Sequence, residues 1–91
     1  MNHITVPAAF ASHDEALTVY AQFTDNLGLL ADVAVSSPKD VHISDLLHLL
    51  GNVEELATAT DAIGKDATDA QNARYLKLQR RVEGYIQSVT R

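Results

Sequence analysis

The stretch DLLHLLGNVEELATATDAIG, residues 45–64, decides between two predictions of the fold. Two short helices separated by Gly51-Asn52 would be typical of a helix-turn-helix DNA-binding protein. One continuous amphipathic helix that tolerates a glycine would give nearly the same pattern. The stripe on this segment is Leu46, Leu50, Val53, Ala57 and Thr60. Its four-three spacing keeps the same phase across Gly51, and a sharp turn would reset that phase, so the spacing predicts a single helix.

The second half of this segment also argues against DNA binding. It carries Glu54, Glu55 and Asp61, and it offers no Arg, Lys or Gln that could contact the edges of bases. Carboxylates held near phosphates oppose the electrostatic attraction that supplies most nonspecific affinity for DNA. Within a continuous helix, Gly51 would either permit the close approach of another helix or produce a mild kink, and the sequence leaves both open.

Three helices are predicted, over residues of about 13–36, 38–63 and 67–90. Ser12 with Glu15 forms a predicted capping box at the first helix. Ser36-Ser37-Pro38 ends that helix, because proline cannot continue it. The second helix begins either at Pro38, with Ser37 as its N-cap, or at Ser44, and Gly64 ends it. The third helix begins at Asp66 or at Thr68, which can form a second capping box with Gln71.

Each predicted helix carries an apolar stripe at four-three spacing, which indicates a helical bundle. On the first helix the stripe is Ala16, Tyr20, Phe23, Leu27, Leu30 and Ala34. On the second it is Ile43 followed by Leu46, Leu50, Val53, Ala57 and Thr60. On the third it is Tyr75, Leu78, Val82, Tyr85 and Val89. A row of Leu49, Leu56 and Ile63 lies beside the second stripe. Residues 1–11 read as a short extended arm that packs on the bundle or on a partner. The sequence thus predicts one all-α domain, 1–91, an antiparallel three-helix bundle with coiled-coil-like packing.

Composition limits the class of protein. The 91 residues include no cysteine, which excludes disulfides and thiolate zinc sites and is compatible with a reducing compartment. Aromatic residues make up only 5%, so the core is small and self-association, most simply as a dimer, is expected. The first residues lack a secretory-signal pattern and no apolar run reaches the ~20 residues of a membrane span. We therefore expect a cytoplasmic protein without a membrane contact.

Polar residues on the second helix raise the question of a metal site or an active site. The grouping is His42, Asp45, His48, Asn52 and Glu55, of which the last four share one helix face. A metal site would need further ligands from facing helices, whose inward rows are apolar, so we interpret this face as solvated and opposite the leucine stripe. Nothing in the sequence resembles a perturbed acid-base pair, a nucleophile elbow or a phosphate loop. We expect no catalysis, no metal and no cofactor.

Charge is distributed unevenly along the chain. Residues 1–69 have a net charge of −9, whereas residues 70–91 have a net charge of +4. The basic cluster consists of Arg74, Lys77, Arg80 and Arg81. We predict that it contacts an acidic partner or an anion, most simply the acidic second helix of this chain or of a neighbour. A nucleic-acid site on the third helix is the alternative, and the acidity of the rest of the molecule disfavours it.

Apolar residues in excess of the stripes predict an interface. These residues are Leu17, Val19, Leu29 and Val33 on the first helix, with Leu49 and Leu56 on the second. A surplus apolar edge on a small helical domain is typical of a protein contact surface. The sequence therefore favours a noncatalytic protein-interaction module: a small adaptor, a chaperone-like factor or an inhibitor that occupies the surface of a protein partner and associates with itself. The alternative is an accessory protein that binds nucleic acid through its third helix.

Overall fold

A computed structural model describes residues 3–90, and these residues form three α-helices and no strand. Helix α1 is His13–Ser36, a short 3-10 turn is Pro38–Asp40, α2 is Ile43–Asp61, and α3 is Asp69–Thr90. The predicted all-α three-helix bundle is confirmed. Helix α2 continues through Gly51, so the continuous-helix prediction is correct and no helix-turn-helix lies at that glycine.

Ser12 and Glu15 both form hydrogen bonds at the start of α1, but they do not form the reciprocal capping box that was predicted. The Glu15 backbone N–H donates to Ser12 Oγ at 3.2 Å. The Glu15 carboxylate accepts from the Ala11 backbone N–H at 3.3 Å, not from the Ser12 backbone as the capping box requires. At α3 the box is complete, since Gln71 N donates to Thr68 Oγ1 at 3.1 Å and Thr68 N donates to Gln71 Oε1 at 2.9 Å.

The boundaries of α2 resolve an ambiguity of the sequence. Pro38 begins only the 3-10 turn, and α2 begins at Ile43 with His42 at the N-cap position, one residue before the later of the two predicted starts. Beyond the end of the helix, Gly64 has a φ of 90°. That left-handed conformation is readily adopted by glycine, which explains why the chain reverses there.

Helix α1 is the centre of the fold. Helices α2 and α3 each pack against α1, but no Cα atom of α2 lies within 8 Å of a Cα atom of α3. Asp14 lies beside Gln71 at one end and Gly28 beside Tyr85 further along, so α1 and α3 run in the same direction. The order is up-down-up, as predicted, but the bundle is open between α2 and α3.

The two apolar rows of α2 have exchanged roles relative to the prediction. Leu49 and Leu56, which we assigned to an interface, lie in the core, with Leu49 only 3% exposed. Leu46, Leu50 and Val53, which we assigned to the core stripe, are exposed, Leu50 to 57%. The reason is geometric: α2 packs on α1 through a single face, and no Cα atom of α3 comes within 8 Å of α2 to cover the neighbouring row.

The N-terminal arm packs on the bundle. Val6 and Phe10 are buried in the core, and the backbone N–H of Phe10 donates to the carbonyl of Ala59 at 3.2 Å. At its outer end, His3 contacts α2 through a 2.9 Å hydrogen bond between its Nε2 and Asp45 Oδ1. The arm therefore contacts α2 near both of its ends. Residues 1–2 of the predicted arm lie outside the described residues.

Candidate functional site: an apolar groove

The gap between α2 and α3 is an open groove of about 650 Å³. Its floor belongs to α1 and consists of Tyr20, Phe23, Leu27 and Leu30. The wall on α2 includes Leu46, Leu50, Val53 and Ala57, and the wall on α3 includes Tyr75, Gln79, Val82 and Ile86. Almost all of these side chains are apolar, so the groove is a hydrophobic surface enclosed on three sides.

Four large side chains of the walls are left half exposed to water. They are Leu46, Leu50, Val53 and Ile86. Single exposed leucines are normal on proteins, but a contiguous apolar groove on a domain of this size is typical of a binding surface. Removing apolar area from water contributes about 25 cal/mol for each Å², from which the entropy cost of association must be subtracted.

The edges of the groove carry negative charge. Asp61 lines the groove at the end of α2, and Glu54 follows Leu50 by one helical turn. Glu83 of α3 lies near the floor residue Tyr20: burial raises the pKa of Tyr20, and the charge of Glu83 raises it further. Among residues 3–90, the carboxylates of Glu54, Asp61 and Glu83 form no ion pair. The groove thus combines apolar walls with carboxylates that form no ion pair among these residues, although Glu83 accepts a hydrogen bond from Gln79 at 3.4 Å.

The basic cluster on α3 lies away from the groove and contacts α1. Arg81 donates to Asp25 Oδ1 at 2.8 Å and to the Tyr85 hydroxyl at 3.1 Å. The hydrogen bond to Asp25 is the main reason that the pKa of Arg81 is raised, and the Tyr85 hydroxyl adds to it. Arg74 approaches Asp14 at 3.9 Å. The predicted intramolecular partner was therefore wrong, since these arginines pair with the first helix and not the second.

Two members of the basic cluster, Lys77 and Arg80, are exposed and form no ion pair among residues 3–90, and Arg74 is exposed as well. A nucleic-acid surface on α3 would have to use these two side chains together with arginines that already neighbour Asp14 and Asp25. Carboxylates interleaved with the cations weaken attraction to phosphates. This arrangement counts against the nucleic-acid alternative.

The polar face of α2 is not the solvated face that the sequence suggested. The ring of His3 stacks on His48 at a centroid distance of 4.0 Å, and His3 bonds Asp45. That hydrogen bond is the largest cause of the lowered pKa of Asp45. Asn52 is 1% exposed and donates to Glu55 Oε1 at 3.2 Å. Asp45, His48 and Asn52 are covered because the core row of α2 lies next to them and the N-terminal arm contacts this face, whereas Glu55 stays exposed.

Within the described part of the chain, no three His, Asp or Glu residues are placed so that they could hold a metal ion. His48 Nε2 and Asn52 Oδ1 are buried without a hydrogen-bond partner. His48 lies beneath the arm, where its ring stacks on His3.

The structure separates the six predicted interface residues into three groups. Leu17, Leu49 and Leu56 are buried inside the chain, and Val19 and Val33 are half-buried. Only Leu29 is exposed; with Val33 it lines a second depression of about 450 Å³. The groove was missed because its walls coincide with the predicted core stripes. The available signal was the number of leucines on α2, which is greater than one helix contact can cover.

Comparison of the chain with protein-family models, with curated proteins and with solved structures finds no match. Within residues 3–90, none of the helices has both the length and the apolar character needed to cross a lipid bilayer.

Proposed function

We propose that this chain is a noncatalytic protein-interaction module that binds a partner protein in the groove between α2 and α3. The observation that carries the proposal is the gap itself, in which Leu46, Leu50, Val53 and Ile86 remain half exposed above an apolar floor. Two helices that pack on a third, with no Cα atoms within 8 Å of each other, leave the position of a fourth helix vacant. An adaptor, a chaperone-like factor or an inhibitor would each act by filling that position with a segment of its partner. We place this activity in the cytoplasm, with which a cysteine-free chain is compatible.

Self-association as a dimer is the second part of the proposal, and a different surface favours it. Ile43 and Leu47 of α2 are 73% and 62% exposed and do not line the groove. Packing of the N-terminal halves of two α2 helices across a twofold axis would cover both residues in each copy. Of the carboxylates of α2, only Asp45 lies in that half, and it is bonded to His3. Light scattering over a concentration series tests this: the dimer should weaken in Leu47→Gln and persist in Val35→Gln, whose exposed side chain lies on α1. A protein that stays monomeric at high concentration removes the dimer.

Site-specific crosslinking in cells of the source organism tests the interaction itself. A photoreactive benzoylphenylalanine replaces Leu50 in the groove or, as a matched control, Leu76, which is similarly exposed on α3 but lies outside the groove. We expect defined crosslinked products of higher mass from position 50 and none from position 76. Equal products from both positions, or none from position 50, would contradict a binding role for the groove.

A further inference from the structure

We infer that the occupant of the groove is a single amphipathic α-helix of a different protein, with an apolar face flanked by lysine or arginine. This inference rests on the proposed function and specifies the chemistry of the partner. Three observations carry it: the shape of the groove, the charge at its edges, and the placement of this chain's own cations.

The shape fits a helix. The wall on α2 runs from Leu46 to Thr60, which corresponds to a helix length of about 21 Å, or about four turns. The floor and both walls are themselves helices, so side chains of an added helix can enter the grooves between their ridges. A small ligand would cover only part of this length. A segment with apolar residues at i, i+3, i+4 and i+7 would cover all of it.

The charge at the edges selects a basic helix. Helix α2 carries Asp45, Glu54, Glu55 and Asp61 and contains no lysine or arginine. Asp61 lines the groove, and the carboxylate of Glu83 on α3 accepts a hydrogen bond at 3.4 Å from Gln79, which also lines it. Cations on the flanks of an incoming helix would therefore approach carboxylates on both walls that have no ion pair among residues 3–90.

A second copy of this chain lacks that complementarity. Two grooves placed face to face would bring Glu54, Asp61 and Glu83 of one copy toward the same residues of the other. Of the cations on α3, Arg74 and Arg81 lie beside Asp14 and Asp25 on α1, and Lys77 and Arg80 do not line the groove. Like charges across an interface oppose association. The groove therefore fits a foreign basic helix better than it fits itself.

Designed peptides test the inference directly. The probe is a fluorescein-labelled 18-residue peptide with leucines at helical spacing and lysines on both flanks; the matched probe has glutamates in place of the lysines. In anisotropy titrations we expect the lysine peptide to bind the full-length protein and the glutamate peptide to bind at least about tenfold more weakly at low salt. The affinity for the lysine peptide should fall about tenfold or more in Leu50→Gln and stay unchanged in Leu76→Gln.

A second pair of variants tests the carboxylates. Neutralising the edges in Asp61→Asn/Glu83→Gln should weaken binding of the lysine peptide about three- to tenfold at low salt and less at high salt. Asp32→Asn/Asp66→Asn removes the same charge elsewhere on the surface and should have no comparable effect. Circular dichroism confirms that each variant is folded.

Three outcomes would overturn the inference. Equal binding of both peptides would show an apolar groove without charge selection. A dimer that Leu50→Gln dissociates would show that a second copy fills the groove. No binding of either peptide would exclude a simple helix. In each case crosslinking from position 50 still reports whether the groove binds a protein, so the proposed function can survive the failure of this inference.

Discussion

Gly28 lies directly against the ring of Tyr85, where α1 and α3 pack together. A Cβ atom on Gly28 would be 2.8 Å from Cζ of Tyr85 and 3.0 Å from its hydroxyl oxygen, closer than van der Waals contact permits. The same hydroxyl accepts a hydrogen bond from Arg81, which in turn binds Asp25 of α1. The absence of a side chain at position 28 therefore lets this part of α3 approach α1.

Gly28→Ala should lower the free energy of unfolding by about 1 kcal/mol, because the cost of overpacking exceeds the gain in helix propensity. Gly84→Ala is the matched control: nothing lies within 4 Å of its Cβ position, so it should stabilise α3 by about 0.5–1 kcal/mol. Urea unfolding measures both. In a Tyr85→Ala background the steric conflict is gone, and Gly28→Ala should become stabilising. Stabilisation by Gly28→Ala in the unaltered chain would show that the ring moves aside without cost.

Leu49 and Leu50 are adjacent in sequence, but Leu49 belongs to the buried row of α2 and Leu50 to the exposed row. Substituting each in turn tests this assignment. Leu49→Ala should lower the free energy of unfolding by about 2–5 kcal/mol, since it leaves a cavity in the core. Leu50→Ala should change it by less than about 1 kcal/mol, because that side chain is half exposed in the groove. Thermal and urea unfolding of the two variants make the comparison. Similar losses in both would mean that the groove is closed in solution.

The positions of the helices could be predicted because their signals are local. Ser12, Pro38, Gly64 and the Thr68-Gln71 pair act through hydrogen bonds or backbone conformations within a few residues of themselves. The continuity of α2 across Gly51 followed from apolar spacing alone. These features do not depend on how the helices are arranged in space.

The faces of α2 could not be predicted from the same spacing. Leu49 and Leu50 are adjacent in sequence, and each belongs to a row with valid helical periodicity. Which row becomes core depends on the angle at which α2 meets α1 and on whether α3 covers the other side. The pairing of Arg81 with Asp25 is likewise tertiary, since it joins residues on two helices that run in the same direction. The groove results from this tertiary arrangement of the three helices.

The hydrogen bond from His3 to Asp45 leads to a prediction about pH. This hydrogen bond is the largest cause that lowers the pKa of Asp45 below 3.8 in the folded chain. The stability that it contributes to docking of the arm is therefore present above pH 3.8. That stability is lost as the pH falls through the lowered pKa that Asp45 has in the folded chain. His3→Ala should therefore raise the pKa of Asp45, as measured by an NMR titration of the side-chain carboxyl carbon. We also expect weaker docking of the arm, visible as faster amide exchange at Phe10.

His42→Ala is the matched control for this titration. His42 affects Asp45 only through its charge and is the smallest of the causes, so its removal should move the pKa of Asp45 less than the removal of His3 does. Equal effects of the two variants would show that His3 acts on Asp45 through charge alone, without the 2.9 Å hydrogen bond.

We predict that ionisation of the Tyr75 hydroxyl lowers the stability of the folded chain at alkaline pH. Burial raises the pKa of Tyr75 above 10.0, and the charge of Asp14 raises it further. The folded chain therefore holds the phenolic proton more tightly than the unfolded chain, so this contribution is complete below pH 10.0 and is lost as the pH rises through the folded value.

Tyr75→Phe removes this ionisation together with the 2.8 Å hydrogen bond to His13 Nδ1. We expect the variant to be less stable at neutral pH by about 1 kcal/mol, and to lose less stability than the unaltered chain between about pH 9 and 11.5. Urea unfolding across that range, with the absorbance of tyrosinate near 295 nm, checks both expectations. Burial also raises the pKa of Tyr20, so Tyr20→Phe/Tyr75→Phe should flatten the alkaline slope further. If the slopes of all three proteins coincide, ionisation of these buried phenols is not what limits stability in alkali.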